Sequence, residues 1–459
     1  MRWRRVPRPK AEAPRVVVVG AGFGGLAAVA ELGRAGAQVI LIDQNSYSTF
    51  QPLLYQVATA GLNPGDVAFP VRVYAHKHGA RFRLGELTSI DTTARRITLA
   101  DGGQLDYDYL ILATGVSAAF YNIPGAAENT IGLYTRRDAL ALRNQIMSRL
   151  ERLGVGGPDK DLNFVIVGGG ATGVELAGAL AELHAALDAA YPDIDKAKVH
   201  TRLVEMAPEL LGPFEHPLRD YTRRQLLERG VDVRLSAKIR EVLPGRVLLE
   251  DGEDLPSDVT VWAAGVAGPT AVSHWSLTQG RGGRIMVGPD LRAVGQDRIF
   301  AVGDISLIED HPLPQLAAVA IQSGRHAGRQ VARLAAGLPT EPFRYHDKGT
   351  MATIGRRSAV VELAHGPRMR GTLAWLAWLG LHLVMLLGNR NRLSALINLA
   401  WRYVSWRGGG GLIAADDPPG VAGAARVVQP PEPAGELVTR QGPPGAGSGA
   451  AEGHDAPAA

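Results

Sequence analysis

The segment Val16-Val17-Val18-Val19-Gly20-Ala21-Gly22-Phe23-Gly24-Gly25 gives the strongest indication of the fold of this chain. Four β-branched residues predict a buried strand, and three glycines follow with the spacing G-x-G-x-x-G. In this spacing the first glycine forms a tight turn, the second lets the backbone approach a pyrophosphate, and the third packs a helix on the sheet. The free N–H groups at the start of that helix attract phosphate. The segment therefore predicts a dinucleotide-binding βαβ unit.

A second copy of this pattern follows later in the chain, as Phe164-Val165-Ile166-Val167-Gly168-Gly169-Gly170-Ala171-Thr172-Gly173. A single glycine loop of this kind is a weak signal, because such turns also arise for packing reasons. Two loops in one chain are much more specific, and they predict two dinucleotides bound face to face. That arrangement is typical of flavoproteins that take hydride from a nicotinamide.

An acidic residue follows the next strand after each loop. Asp43 ends the strand Val39–Ile42, and Glu205 ends the strand that contains Leu203 and Val204. A carboxylate at this position binds a ribose hydroxyl and repels a 2′-phosphate, so Glu205 favours NADH over NADPH. Glu205 lies further from its loop than usual, which predicts a helix extension and a loop over residues 184–198. The alternative for either acid is a solvated strand end.

Composition excludes one class of chemistry. The chain has 459 residues, of which 46% are hydrophobic and 20% charged, and it has no cysteine. It is therefore a globular chain of two or three domains. Disulfide, coenzyme A-disulfide, peroxide and sulfide:quinone reductases need a redox thiol beside the flavin, so this branch is excluded. The formal net charge of +4 is small, and no nucleic-acid partner is predicted.

Matching strand ends indicate how the chain is divided. Two strands end alike, one before Ala113-Thr114-Gly115 and one before Ala263-Ala264-Gly265. A further strand ends in Gly303-Asp304. The pattern predicts an α/β fold with two Rossmann-like dinucleotide-binding domains and a C-terminal amphipathic helical region that anchors the chain to a membrane. The predicted divisions are a basic disordered tail (1–13), an FAD-binding domain (14–122 and 295–345), an NADH-binding domain (123–294), a membrane-associated domain (346–413) and a disordered Ala/Gly/Pro-rich tail (414–459).

The membrane prediction depends on residues 371–388, which have no charged side chain and include His382. An amphipathic stretch follows, and four of the seven tryptophans of the chain lie between residues 371 and 407. A buried core helix is the alternative for an apolar segment of this length. The clustered tryptophans and arginines favour a monotopic helix that lies in the membrane interface without crossing it.

Taken together, these motifs resemble the type II NADH dehydrogenases, which are single-subunit NADH:quinone oxidoreductases that do not pump protons. The resemblance covers about residues 14–413. The motifs that carry it are VVVVGAGFGG, FQPLLYQVATAGL, VGGGATGVELAG, LVEMAPELL, WAAGV, AVGD, KGTMATIG and LGNRNR. The resemblance implies non-covalent FAD in the first domain, NADH as substrate in the second, and a membrane quinone as acceptor. It also implies peripheral attachment to the lipid bilayer on the cytoplasmic face of the cell membrane, and it is compatible with a homodimer.

The resemblance further implies individual residues of the FAD site. The glycine loop and its acid would contact the pyrophosphate and ribose, backbone near Leu87 would face the adenine, and the two later strand ends would complete the site. The implied FAD residues are Gly20, Ala21, Gly22, Phe23, Gly24, Gly25, Asp43, Gln44, Leu87, Ala113, Thr114, Gly115, Gly303, Asp304, Ala317 and Ala318.

For the two substrates, the resemblance implies a second set of residues. Glu175 matches the acid of the family beside the flavin and is the predicted catalytic residue, and Gln322 and Gln315 are the predicted quinone residues. This chain departs from the family's quinone-side pattern A-Q-x-A-x-Q, because Ala318 stands where the pattern has its first glutamine. Ser48 likewise stands where the family often has a histidine. The predicted NADH residues are Gly168, Gly170, Gly173, Glu205, Ala264 and Gly265.

Two other classes of protein share the paired loops. A soluble ferredoxin or rubredoxin reductase would have them, although residues 371–407 argue against it. A non-enzymatic redox sensor, similar to the apoptosis-inducing flavoproteins, would keep the cofactors without fast turnover of an acceptor. The sequence leaves open the choice between menaquinone and ubiquinone, and it leaves the oligomeric state open.

Overall fold

The structure is a computed structural model that describes residues 13–154, 161–308 and 311–405, with side chains described as far as Trp401. The predicted basic N-terminal tail, apart from its last residue, and the Ala/Gly/Pro-rich C-terminal tail therefore lie outside the described residues, as does Trp406.

The described part of the chain alternates strands and helices. Its strands are β1 (Arg15–Val19), β2 (Gln38–Asp43), β3 (Tyr47–Thr49), β4 (Ala68–Pro70), β5 (Arg81–Leu84), β6 (Leu87–Asp91), β7 (Arg96–Leu99), β8 (Gln104–Asp106), β9 (Tyr109–Leu112), β10 (Ser117–Ala118), β11 (Ile131–Gly132), β12 (Leu162–Val167), β13 (Val199–Val204), β14 (Val231–Arg234), β15 (Ile239–Leu243), β16 (Arg246–Leu249), β17 (Asp254–Pro256), β18 (Val259–Trp262), β19 (Val266–Ala267), β20 (Ile285–Met286), β21 (Ile299–Ala301), β22 (Ser306–Leu307), β23 (Thr350–Gly355), β24 (Ser358–Glu362) and β25 (Arg368–Arg370). Its helices are α1 (Phe23–Ala35), α2 (Leu54–Ala58), α3 (Val71–Lys77), α4 (Ala126–Asn129), α5 (Arg136–Gly154), α6 (Ala171–Ala185), α7 (Leu187–Ala190), α8 (His216–Glu228), α9 (Ala317–Ala335), α10 (Thr372–Met385) and α11 (Asn389–Ser405).

The first large sheet has the strand order β21-β9-β1-β2-β5, and all of its neighbouring strands are parallel. Its central strand β1 is covered on both faces, which explains why four consecutive valines suit it. The strand on one side of β1 ends in Asp43, and the strand on its other side leads into Ala113. The strand β21 joins this sheet after the second large sheet is complete, so the chain returns to its first unit.

The second large sheet repeats this arrangement with the order β11-β18-β12-β13-β14. The strand that precedes the second glycine loop is again central, the acid-bearing strand lies on one side, and the strand that precedes Ala263 lies on the other. Each unit also contains a three-stranded antiparallel sheet, β6-β7-β8 in the first and β15-β16-β17 in the second. The two units therefore share the arrangement of four parallel strands and a three-stranded sheet, as the paired sequence motifs predict, whereas the outer strand comes last in the chain in the first unit (β21) and first in the second (β11).

A short ribbon joins the two units directly behind their strand ends. The strands β10 and β19 pair antiparallel, so that Ser117 lies opposite Ala267 and Ala118 opposite Val266. The indole Nε1–H of Trp262 donates a hydrogen bond of 2.8 Å to the carbonyl of Ala119. This buried bond satisfies the polar edge of the tryptophan and fixes the ribbon against β18.

The C-terminal part consists of the antiparallel sheet β23-β24-β25 and the helices α10 and α11. The strand β23 lies close against α6 because Gly178 has no side chain, since a Cβ there would be 2.1 Å from the carbonyl oxygen of Ile354. The helix α10 buries Ala374, Trp375 and Trp378 in the core that also contains α2, α6 and β24.

The opposite face of α10 is exposed and apolar, with Leu373, Leu376, Leu381 and Val384 on it. The helix α11 continues this surface with exposed Leu393, Leu396, Ile397 and Trp401. The helix α10 thus buries one face in the core and exposes the other at the surface. In the part of the chain that the structure describes, no helix combines the length and the apolar character needed to cross a bilayer.

Candidate functional site

The three glycines of the first loop have three different surroundings. Gly20 has a φ of +104°, and a Cβ on it would lie 2.2 Å from the carbonyl oxygen of Ala113. A Cβ on Gly25 would lie 1.8 Å from the carbonyl oxygen of Gly20, so this glycine is needed for helix α1 to pack on β1. A Cβ on Gly22 would meet nothing within 4 Å. The loop is therefore closed at both ends and open at its middle glycine, where a phosphate approaches in this motif.

The second loop has the same geometry. Gly168 has a φ of +111°, and a Cβ there would lie 2.6 Å from the carbonyl oxygen of Ala263. A Cβ on Gly173 would lie 1.8 Å from the carbonyl oxygen of Gly168, whereas Gly170 faces open space. The helix α6 begins at Ala171 without a side-chain cap, so its first N–H groups are directed at this space.

The two acids also occupy equivalent positions. Asp43 accepts hydrogen bonds from the backbone N–H of Ala21 at 2.6 Å and of Asn45 at 2.7 Å, one on each oxygen. Glu205 accepts from the backbone N–H of Gly169 on one oxygen and of Ala207, at 2.7 Å, on the other. The side-chain amide of Asn45 also donates to Asp43 at 3.4 Å, on the same oxygen as its N–H. The other oxygen of Asp43 and both oxygens of Glu205 keep a lone pair for a further donor, such as a ribose hydroxyl. Burial raises the pKa of Asp43, and the bonds from Ala21 and Asn45 oppose that rise.

Other predicted FAD residues lie around the first loop. The N–H of Gly85 donates to the carbonyl of Asp43 at 2.9 Å, which brings the start of β6 at Leu87 towards the acid. Thr114 follows the strand β9, and its buried hydroxyl oxygen has no hydrogen-bond partner in the described part of the chain. An orphaned hydroxyl beside an open glycine cradle fits a bound dinucleotide. Gln44 is exposed beside the acid.

The segment Gly303-Asp304 follows β21 on the other side of β9. The hydroxyl of Tyr134 donates to the Asp304 carboxylate at 3.3 Å, and the Nε–H of Arg284 donates to the Asp304 carbonyl at 2.9 Å. Burial raises the pKa of Asp304, while the bond from Tyr134 and the charge of Arg284 lower it. The amide of Gln315 donates to the same carbonyl at 3.4 Å. The helix α9 begins shortly after this point, so Ala317 and Ala318 form its N-terminus.

Glu175 lies buried near the start of α6, where the second glycine loop meets the C-terminal part. Its carboxylate accepts a hydrogen bond of 3.3 Å from the backbone N–H of Thr353 on β23. Burial raises the pKa of Glu175 to about 8, opposed by the Thr353 N–H and by the indole of Trp378. The Nε1–H of Trp378 makes no hydrogen bond of ordinary geometry with the described residues. Glu175 therefore holds its proton at neutral pH.

A row of aromatic rings joins the surroundings of Glu175 to the first glycine loop. Phe23 of that loop meets Phe50 edge-on at 5.8 Å between centroids, and Phe50 meets His382 of α10 at 6.0 Å. His382 stacks on Trp378 at 4.1 Å, and Trp378 meets Tyr55 at 6.2 Å. The row thus connects the predicted flavin site to the helix that carries the exposed apolar face.

His382 is a neutral base within this row. Its Nδ1 lies 2.7 Å from the carbonyl oxygen of Trp378, which can only accept, so Nδ1 carries the hydrogen and Nε2 keeps its lone pair. Burial lowers the pKa of His382 to about 4. In the sequence, His382 is the only titratable residue of α10, and that isolation was the available signal for a function.

Known proteins resemble this chain in sequence and in structure. A family model described as pyridine nucleotide-disulphide oxidoreductase matches residues 14–324. The type II NADH:quinone oxidoreductase Ndh of Mycobacterium tuberculosis is 36% identical over 425 residues, which cover 87% of this chain and 91% of that protein. This chain belongs to the type II NADH:quinone oxidoreductase family. A second member, from Staphylococcus epidermidis, is 31% identical over 359 residues, or 75% of this chain and 89% of its own length.

Solved structures agree on the fold of this type II NADH:quinone oxidoreductase. The structure of NDH2 from Plasmodium falciparum in complex with NADH has a TM-score of 0.79 at 19% identity, covering 86% of this chain and 99% of that one. The sulfide:quinone oxidoreductase of Aquifex aeolicus has a TM-score of 0.69 at 20% identity, covering 85% and 95%. The predicted α/β fold with two dinucleotide-binding units, the family and the oxidoreductase activity are thus confirmed, while the membrane-anchoring role of the C-terminal region stays a prediction.

In this family member, two predicted substrate residues have partners that the sequence did not reveal. The amide of Gln322 donates to the carbonyl of His346 at 2.9 Å, and its oxygen accepts from the N–H of His346 at 3.0 Å. Gln322 thus holds the segment before β23 against α9. At the second strand end, a Cβ on Gly265 would lie 2.1 Å from the hydroxyl of Tyr121, so this glycine, next to Ala264, lets the tyrosine approach.

Proposed function

We propose that this chain binds FAD in its first unit, oxidises NADH bound in its second unit, and reduces a membrane quinone at the pocket of Glu175. The observation that carries this proposal is the position of Glu175. Its carboxyl lies on the helix that starts at the second glycine loop, and the aromatic row connects its surroundings to the first loop. The surroundings of Glu175 therefore include residues of the second nucleotide unit and of the C-terminal helices, and the aromatic row continues to the first unit.

The first unit has the groups needed to hold FAD. The open space at Gly22 and the N-terminus of α1 suit the pyrophosphate, and the Asp43 carboxylate suits a ribose. Asp304 and the unpaired Thr114 hydroxyl lie beyond β9, on the same edge of the sheet. When bound, a flavin supplies hydride acceptance and electron delivery to the acceptor. The protein positions the reactants, and the aromatic row excludes water from them.

The second unit holds NADH in the equivalent way. The N-terminus of α6 faces the open space at Gly170, where it suits a pyrophosphate, and Glu205 accepts from ribose hydroxyls. The carboxylate also repels a 2′-phosphate, so NADPH is the poorer substrate.

Reduction of a quinone by NADH adds the hydride of NADH and one further proton, and the Glu175 carboxyl offers a source for that proton. With a pKa of about 8, the Glu175 carboxyl is protonated at neutral pH and can donate to a reduced quinone oxygen. The lone pair of His382 Nε2 can accept a hydrogen bond from a hydroxyl of the reduced quinone, because its Nδ1 carries the hydrogen. Gln322 and Gln315 belong to the quinone side of this proposal, Gln322 by holding His346 and its segment in place.

The exposed apolar face of α10 and α11 is the proposed contact with the bilayer, on the cytoplasmic face where NADH is present. A peripheral attachment of this kind brings the aromatic row close to the acyl region from which a quinone enters. The competing function is that of a soluble NADH-dependent reductase or redox sensor, which needs neither the apolar face nor a quinone.

Anaerobic stopped-flow spectroscopy tests the proposal. Mixing the flavin-loaded protein with NADH should bleach the flavin absorbance, and a second mixing with a short-chain quinone should restore it within the turnover time. A redox sensor would bleach but recolour slowly with every quinone. A soluble reductase would recolour rapidly with a small iron–sulfur protein and slowly with quinones. Either result would overturn the assignment.

A further inference from the structure

A groove with a strong positive charge adjoins the site described above and shares Gln322 with it. It has a volume of about 530 Å³ and lies between one face of α9 and the segment of residues 341–346. The face of α9 is formed by Gln322, Arg325, His326 and Arg329, whose spacing of three and four residues places them on one side of the helix. The opposite wall includes Arg344 and His346.

The arginines of this groove have no counterions among the residues that the structure describes. Arg325, Arg329 and Arg344 make no ion pair and no hydrogen bond with any described residue, in contrast to Arg292, whose Nε–H donates to Asp290 at 2.6 Å. The one carboxylate among the lining residues, Glu341, is paired with Arg333 at 3.0 Å. Three like charges at one concavity repel one another, and an anion bound between them relieves that repulsion.

We propose that this groove is a binding site for a phosphate group. Guanidinium groups bind phosphate oxygens through paired hydrogen bonds, and three of them line one concavity here. The wall that carries Arg344 is held in place, because both polar atoms of the Gln322 amide bond to the His346 backbone. The site is therefore fixed on two sides before a ligand binds. It goes beyond the proposed redox function and shares no reacting group with it.

The position of the groove favours the headgroup of an anionic phospholipid as the source of that phosphate. Arg325 lies near Tyr74 of α3, where its charge opposes the rise in the tyrosine pKa that burial causes. Tyr74 and Leu387 pack against the same hydrophobic core, and a Cβ on Gly388 would lie 2.7 Å from the ring of Phe69, just before α3. The segment that contains Phe69 and α3 thus links the groove to the turn between α10 and α11, and headgroups would be found there if the apolar face of these helices contacts a bilayer. A free polyphosphate is the other source with the same chemistry.

The test compares the flavin-loaded full-length protein with the variant R325Q/R329Q/R344Q. The control R137Q/R223Q/R240Q removes the same charge from exposed arginines on α5, α8 and β15 that make no ion pair with described residues. Co-sedimentation is measured with phosphatidylcholine vesicles that either contain or lack phosphatidylglycerol. Binding of inorganic pyrophosphate is measured separately by calorimetry without vesicles. Flavin content and binding to pure phosphatidylcholine show that each variant is folded.

If the groove binds a lipid headgroup, the groove variant should bind the anionic vesicles roughly ten- to a hundredfold more weakly, while the control changes far less. If pyrophosphate binding alone depends on the groove arginines, the phosphate site stands and its ligand is soluble. If the groove variant behaves as the control does in both measurements, the proposal is wrong. The pyrophosphate measurement needs no membrane, so it remains decisive even if the apolar face of α10 and α11 proves not to bind a bilayer.

Discussion

Glu175 is a carboxyl whose chemistry is set by its surroundings. Burial raises its pKa from 4.5 to about 8, so the folded protein keeps a proton that the unfolded chain releases as the pH rises above 4.5. Folding stability should therefore fall as the pH rises through this interval. In the variant E175Q this loss is absent, because glutamine does not ionise. Relative to the wild type, E175Q should gain stability between pH 5 and pH 8, on the order of 3 kcal/mol at about 1.4 kcal/mol per pKa unit.

Thermal unfolding of the flavin-loaded protein at both pH values measures this difference. The variant E128Q, at an exposed glutamate of α4, is the control and should follow the wild type. In stopped-flow measurements the wild type should lose quinone reduction as Glu175 ionises above pH 8, whereas E175Q should be slow and independent of pH there. A quinone step in E175Q with the wild-type rate and pH profile would contradict the proton-donor role.

Glu205 is the residue that should select between the two nicotinamide cofactors. In E205Q the charge that repels a 2′-phosphate is lost, and a charge-assisted bond to the ribose is weakened. We expect kcat/KM for NADH to fall roughly tenfold or more, corresponding to about 1.5–3 kcal/mol, while the value for NADPH falls less or rises. E250Q, an exposed acid in the same unit, is the matched control. A wild-type enzyme that uses both cofactors equally would show that Glu205 does not discriminate.

Among individual residues, the sequence indicated some candidate site residues and not others, for a physical reason. Asp43 and Glu205 could be proposed because each ends the strand that follows a glycine loop and its helix, although the connection before Glu205 is the longer of the two. Phe50, Trp378 and His382 could not be assembled from the sequence, because their contacts join parts of the chain that are far apart. The pairing of Gln322 with the His346 backbone was also hidden, since no local pattern specifies it.

The two glycine loops are elements with the same shape and different ligands, which makes a matched pair of variants possible. At Gly22 and Gly170 the backbone is extended with negative φ, and a Cβ would meet only open space. Alanine should therefore leave the fold intact and occupy the space of a pyrophosphate. We expect G22A to lose FAD affinity, and G170A to keep FAD while its dissociation constant for NADH rises.

Flavin absorbance after gel filtration and a fluorescence titration with NADH measure these two effects. G65A, where a Cβ also meets open space, is the control for the substitution itself. G25A should behave differently from both, because its Cβ would lie 1.8 Å from a carbonyl oxygen and the fold itself would be disturbed. If G170A lowered FAD content as much as G22A, the assignment of one ligand to each loop would fail.

The helix α10 shows what sequence reasoning misses at the level of an element. Its run of apolar residues predicted a surface helix as a unit, yet one face carries Trp378 into the core beside α6. Apolar periodicity cannot distinguish a face that meets protein from a face that meets lipid, since both are hydrophobic. Truncation before Gly371 would consequently remove part of the core, so it is a poor test of membrane attachment.

For the whole molecule, point substitutions on α11 test membrane attachment better than a truncation does. Leu393 and Ile397 are 59% and 56% exposed, so their replacement costs little folding stability. In L393S/I397S we expect vesicle binding to weaken roughly tenfold or more, because each buried apolar side chain contributes about 1.5–3 kcal/mol. Co-sedimentation with phosphatidylcholine vesicles is the measurement.

The control for this prediction is L227S/L338S, which replaces two exposed leucines on other surfaces. Both variants should reduce a water-soluble quinone analogue at the rate of the wild type. Equal loss of vesicle binding in the two variants would indicate general surface hydrophobicity, and would remove α11 as the specific contact.

The helix α6 has a mechanical consequence for turnover. Its N-terminus faces the predicted cofactor phosphates, its next turn carries Glu175, and Gly178 and Glu182 hold β23 directly against it. One stiff helix thus touches both proposed substrate sites, and a tilt at one end would displace the other. The affinities for nicotinamide and quinone are therefore linked, and the factor by which bound NAD⁺ changes quinone affinity must equal the factor by which quinone changes NAD⁺ affinity. Such reciprocity would let the oxidised product remain in place until an acceptor arrives, so that the rate of NAD⁺ release would depend on how much quinone the membrane holds.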